Sequence, residues 1–133
     1  MNMANFIKHN ENPKGRKTSD CTTRAIAKAT GMPYLDVLAW QYAKAINKGY
    51  YLNDTKTTNA ILTDPELGFE EVKVVVPRGQ GRQTVRQLVD AHPHDRLVIS
   101  VAGHLTCAVD GCIYDLWDCG YKSVYKYWIK KEG

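Results

Sequence analysis

Little in this sequence marks a specialised class. Cysteine is scarce, four residues in 133, and no two of them form a CxxC pair. That is too few for a disulfide framework, and reduced thiols are expected. No apolar run approaches the length of a membrane span, so no membrane partner is expected. The start, from Met1 to His9, lacks the continuous apolar core and cleavage site of a signal peptide. A cytoplasmic protein is the resulting expectation. Repeats and low-complexity stretches are absent. The turn-rich Pro77-Arg78-Gly79-Gln80-Gly81 lacks the phosphate-loop pattern.

What is present is enough chain for a single domain spanning 1–133 with a core of its own. The net charge is +4, much of it in Lys14-Gly15-Arg16-Lys17 and in the segment from Lys126 to Lys131. No nucleic-acid motif accompanies these clusters, so they read as solvated surface ahead of a nucleic-acid interface.

Residues 1–18 are polar and read as irregular. Ser19 or Asp20 can cap a helix over 20–30, which Gly31 stops. A second helix follows Pro33, with Leu35, Leu38, Trp40, Tyr42 and Ile46 as its apolar surface. A short helix is expected over 57–62, a buried valine-rich strand over 71–76, and a helix over 84–91. The last third reads as strands at 96–101, 105–109, 112–117 and 124–129. Asp110-Gly111 between apolar runs signals a type I′ hairpin. The class is therefore α+β, with an N-terminal helical lobe on a C-terminal antiparallel β-sheet.

Two residues stand out chemically. Cys21 lies at the start of the first helix, where unpaired N–H groups stabilise a thiolate. His104 heads a strand and can supply a base. With Asp110-Gly111 as a two-residue loop, Val109 faces Cys112 and Thr106 faces Asp115. His104, Thr106 and Ala108 then share a face with Ile113, Asp115 and Trp117. This register ranks Asp115 ahead of Asp118 as the carboxylate that orients His104. It turns Cys107 and Cys112 away from His104, into the core. A zinc site built from Cys107, Cys112, Cys119 and His104 is disfavoured for the same reason, and no metal or cofactor is expected. Arg24, one turn after Cys21, and Trp117, on the His104 face, are candidates for lining the same surface as substrate-binding residues.

The runs SDCTTRAIAKATGMPYLDVL (19–38) and GHLTCAVDGCIYDLWDC (103–119) resemble the papain-like cysteine peptidase superfamily in its small bacterial and phage forms. Together they cover about a quarter of the chain. The resemblance implies a site between a helical lobe and a sheet. Cys21 would be the nucleophile, His104 the base and then the acid, and Asp115 the orienter. The Cys21 backbone N–H would donate to the oxyanion, and a peptide or protein amide would be the substrate. One departure stands out. Where papain has a glutamine as second oxyanion donor, this chain has Gly15, with Asn12 and Ser19 as the nearby substitutes. Three functions follow in order: a thiol hydrolase or acyl transferase, an inactive papain-like scaffold that binds a protein, and a basic nucleic-acid-associated protein.

Overall fold

The structure is a computed structural model that describes residues 4–132. In chain order its elements are β1 (Asn5–Lys8), α1 (Cys21–Thr30), α2 (Tyr34–Lys48), α3 (Thr55–Leu62), β2 (Glu70–Lys73), α4 (Val85–Ala91), β3 (Arg96–Val101), β4 (His104–Val109), β5 (Cys112–Asp115) and β6 (Lys126–Lys130). The strands form one sheet in the order β1-β5-β4-β3-β6-β2. The α+β class is as expected.

The hairpin anchors this architecture. Val109 pairs with Cys112 and Ala108 with Ile113. Asp110 and Gly111 carry φ of 51° and 78°, the positive pair that a type I′ turn requires. Gly111 is also confined, because a Cβ there would lie 3.4 Å from the Pro93 carbonyl oxygen. A second tight turn, Ala102-Gly103, joins β3 to β4 and sets His104 opposite Val101 at the strand head.

Four expectations are corrected. The segment 1–18 is not wholly irregular: Asn5–Lys8 pairs parallel with β5, so the sheet is mixed rather than antiparallel. Residues 1–3 of that segment lie outside the described residues. The strand expected at 71–76 runs from Glu70 to Lys73 and sits at the sheet edge, half-buried at best. Valine content reported strand propensity there, not burial. The strand expected at 112–117 ends at Asp115, where the backbone turns toward Trp117. In α2 the apolar residues Leu35, Tyr42 and Ile46 face outward. The helix buries Val37 and Gln41 instead, with Gln41 held by the Thr23 hydroxyl at 2.5 Å and the Leu52 carbonyl at 2.8 Å.

The sheet buries both faces. Ala25, Ile26 and Ala29 of α1, Val37 of α2 and Ile61 and Leu62 of α3 pack with Val98, Leu105, Cys107 and Trp128. Val85, Leu88 and Val89 of α4 pack with Leu97, Ile99, Ala108, Ile113 and Ile129 on the other side. Odd and even positions of β3 divide between these two cores, as strand alternation demands. The hairpin face carrying Ala108 and Ile113 is thus as dry as the opposite one. α4 is fixed by a reciprocal cap: the Gln87 backbone N–H donates to the Thr84 hydroxyl at 3.2 Å, and the Thr84 N–H to Gln87 Oε1 at 2.9 Å. Among the described residues, no helix is long and apolar enough to cross a membrane.

Candidate active site

Cys21 is the first residue of α1, and that helix end meets the sheet where β4 begins and β5 ends. The first N–H groups of a helix have no carbonyl partner within it. Asp20 stands at the cap position, but its carboxylate makes no capping bond. It turns instead toward Arg24 Nε at 2.7 Å, the Tyr34 hydroxyl at 2.8 Å and Asn12 Nδ2 at 3.1 Å. The expected cap is therefore a buried anion serving other donors. The helix N-terminus beside the thiol is left without a capping side chain.

His104 and Asp115 meet as the hairpin register requires. Nε2 of His104 lies 2.7 Å from Asp115 Oδ2. That commits Nε2 to the carboxylate, and the Cys21 thiol bonds to the same imidazole. Asp115 is almost wholly buried and collects further donors. Its Oδ1 accepts from the Leu116 backbone N–H at 2.7 Å and from Arg24 Nη1 at 3.2 Å. Its Oδ2 also accepts from the Cys119 thiol at 3.7 Å. Backbone holds it too, because the His9 N–H donates to the Asp115 carbonyl at 2.8 Å where β1 ends.

These contacts move the proton balance in one direction. Burial alone would raise the Cys21 thiol. The His104 side chain, the Leu105 backbone N–H and the charges of His104 and Arg24 outweigh it and hold the thiol below its ordinary value. Burial alone would lower His104. Its bonds to Asp115, Cys119 and Cys21 prevail, and the imidazole is pushed up to about 11. Burial likewise works against the Asp115 carboxylate, but His104, the nearby Thr106 hydroxyl and the Leu116 N–H keep it below the usual range. Thr106 Oγ1 makes no hydrogen bond of ordinary geometry, so its effect on Asp115 is that of a nearby dipole. The site thus biases a proton away from Cys21 and onto His104.

Asp118, the alternative carboxylate, is spent elsewhere. It takes a two-pronged bond from Arg86 Nη2, at 2.9 and 2.8 Å, on the far side of the turn. Trp117 is half-exposed, with its ring 5.0 Å from that of His104 and tilted by 39°. The ring packs against the imidazole of His104. Arg24 borders the cleft, yet its guanidinium is turned inward and bridges Asp20 and Asp115. That geometry suits holding carboxylates in place more than reaching a ligand.

A cleft of about 650 Å³ opens over Cys21 and His104, with Asn53, Thr58, Ser100 and Trp117 among its walls. Ser19 lines it as well. Asn12 does not, because its amide is used by Asp20. Of the two substitutes for the missing glutamine, only Ser19 lines the cleft.

The remaining cysteines separate. Cys107 is buried, and burial pushes its thiol far up. Cys112 is half-buried, not in the core as expected, because it directly follows the turn. Cys119 had no readable role in the sequence. It is wholly buried against Asp115, and it joins His104 and Asp115 in a cluster whose ligand atoms lie within 4.8 Å of one another. The four-ligand zinc set weighed from the sequence is not assembled, since Cys107 and Cys112 stand apart from that cluster. Cys119, Asp20 and Arg24 all lie inside the quoted runs, but their partners there are set by the fold: Cys119 meets Asp115, and Arg24 turns inward between Asp20 and Asp115. Compared with family models, with curated proteins and with solved structures, the chain has no match.

Proposed function

We propose that this protein is a papain-like thiol hydrolase or acyl transferase acting on a peptide, amide or isopeptide bond. The observation that carries the reading is the chain of contacts from Cys21 through His104 to Asp115, closed by the 2.7 Å His104–Asp115 bond. A thiol lowered by an imidazole, itself held by a buried carboxylate, has the layout of an activated nucleophile.

The steps follow from the positions. The Cys21 sulfur attacks the acyl carbon and a C–S bond forms. The carbonyl oxygen gains negative charge and is met by the Cys21 N–H at the open helix end, with Ser19 beside it. As the C–N bond breaks, the imidazolium of His104 gives its proton to the leaving amine. Water, or an amine in the transfer reaction, then attacks the thioester while neutral His104 takes the proton. The C–S bond breaks and the thiol returns. Asp115 keeps His104 oriented throughout, and Arg24 keeps Asp115 in place.

The test is the pH dependence of Cys21 alkylation by iodoacetamide, read per cysteine by mass spectrometry in wild type and in His104→Ala. Reaction well below the pH of an ordinary thiol, abolished by His104→Ala, is the expected result. A Cys21 that titrates normally in both proteins would sink the enzyme reading and leave the inactive binding scaffold.

A further inference from the structure

Beside the thiol cleft lies a second groove, of about 420 Å³, whose charge is almost all of one sign. Lys48, Lys56, Lys73 and Lys126 line it, against one acid, Glu71. Lys126 already pairs with that acid at 3.2 Å. The lysines arrive from separate elements: the end of α2, the first turn of α3, the edge strand β2 and β6. Three of them, Lys48, Lys56 and Lys73, are exposed and form no ion pair among the described residues. Four lysines and one glutamate leave a lining of +3 in a chain whose whole net charge is +4.

The two concavities adjoin. Thr55 lines both. Trp128 lines the cleft, and its indole N–H donates at 2.9 Å to Asn59 of the groove. Lys126 lies over the same indole, 5.9 Å from the ring centroid. A chain lying across the thiol would therefore run past Trp128 onto the lysines.

We infer that the groove receives an acidic segment of a peptide substrate, and so selects peptides with Asp or Glu clustered on one side of the bond that Cys21 attacks. This rests on the thiol reading above. Carboxylates are the complement of unpaired ammonium groups, which act as adaptable point charges rather than forks. A nucleic acid would also complement the charge. It offers no acyl carbon to the adjoining thiol, and the cleft's two basic side chains, Arg24 and His104, are both committed to buried carboxylates.

The test uses the full chain as Cys21→Ala and fluorescein-labelled probes read by anisotropy: a Glu-rich octapeptide, its Gln-matched counterpart and a single-stranded DNA oligonucleotide. The acidic peptide is expected to bind at least about tenfold more tightly than the Gln peptide, and to weaken with added salt. The double variant Lys56→Glu/Lys73→Glu should remove that preference. Both positions are exposed, and a glutamate in the first turn of α3 suits the helix dipole, so the variant should fold. In wild type, the acidic peptide should protect Cys21 from iodoacetamide and the Gln peptide should not. Equal binding of both peptides, an unchanged preference in the double variant, or tighter binding of DNA than of the acidic peptide would each overturn the inference. Small-molecule alkylation of Cys21 in the absence of peptide reads the thiol alone, so a failed groove and an inert thiol are told apart.

Discussion

Arg24 and Asp115 are separated by 91 residues in sequence and meet at 3.2 Å in the interior, with Asp20 closing the other side of the guanidinium at 2.7 Å. One cation thus serves two buried anions, one from the loop before the nucleophile and one from the strand that orients the base. Removing it leaves Asp20 without a charge partner and Asp115 with His104 alone. Arg24→Leu is expected to cost about 3–5 kcal/mol, seen as a lower urea midpoint with unchanged slope. Arg24→Lys should recover only part of this, because an ammonium cannot span both carboxylates as the planar fork does. A loss below about 1 kcal/mol for Arg24→Leu would show that the bridge contributes little.

Stability should depend on pH in opposite senses for the two partners of the His104–Asp115 bond. His104 has its folded value raised to about 11 from 6.5. Its contribution is complete below about 6.5 and is lost as pH rises through 11. Asp115 is lowered from 3.8, so its contribution is present above that value and is lost as pH falls through the folded value. The stability gap between wild type and His104→Gln should therefore narrow from pH 7 to pH 10. The gap between wild type and Asp115→Asn should narrow on acidification. Denaturant titrations at a series of pH values measure both, and a gap independent of pH would contradict the assigned shifts.

The two carboxylates near the hairpin end should behave differently. Asp115→Asn should slow Cys21 alkylation near pH 6 by about tenfold or more, because the imidazolium loses its anion. Asp118→Asn should leave that rate unchanged. It loses a half-exposed pair with Arg86, with an effect on stability of about 1 kcal/mol or less. Swapped outcomes would move the third member of the site to Asp118.

Gly111 combines a φ of 78° with a close approach to Pro93. Gly111→Ala should cost about 1–2 kcal/mol from the left-handed backbone, with the nearby carbonyl adding to it. Gly79, at φ 84° with open space around it, isolates the backbone component. If Gly79→Ala and Gly111→Ala cost the same in thermal melts, the Pro93 contact carries no penalty.

The sequence revealed the site through local signals that survive folding. Asp110-Gly111 sets a register, the register sets parity, and parity places Asp115 beside His104. The helix start at Cys21 was legible from Ser19-Asp20 and Gly31, although Asp20 turned out to hold Arg24 rather than the helix end. What escaped was non-local. The strand Asn5–Lys8 has four residues, one half-buried at Ile7's neighbour Phe6 and the rest exposed, so it carries no alternation to read. It is a strand because β5 offers it an edge. Arg24 looked like a cleft residue because its two partners lie in separate stretches of chain. The lysine groove gathers side chains spread from Lys48 to Lys126, and no window of sequence contains it.

The parallel pairing of β1 with β5 also has a consequence in time. It joins Asn5 to Cys112 and Lys8 to Asp115, the ladder of greatest sequence separation in the sheet. Closing so long a loop brings an entropy penalty that the β4–β5 hairpin does not share, so the hairpin should form early and β1 should dock late. Because the end of β1 fastens the Asp115 backbone, refolding should restore tryptophan burial before it restores the reactivity of Cys21 at low pH. Stopped-flow fluorescence beside quenched alkylation would separate the two phases, and a single shared rate would mean that the site matures together with the core.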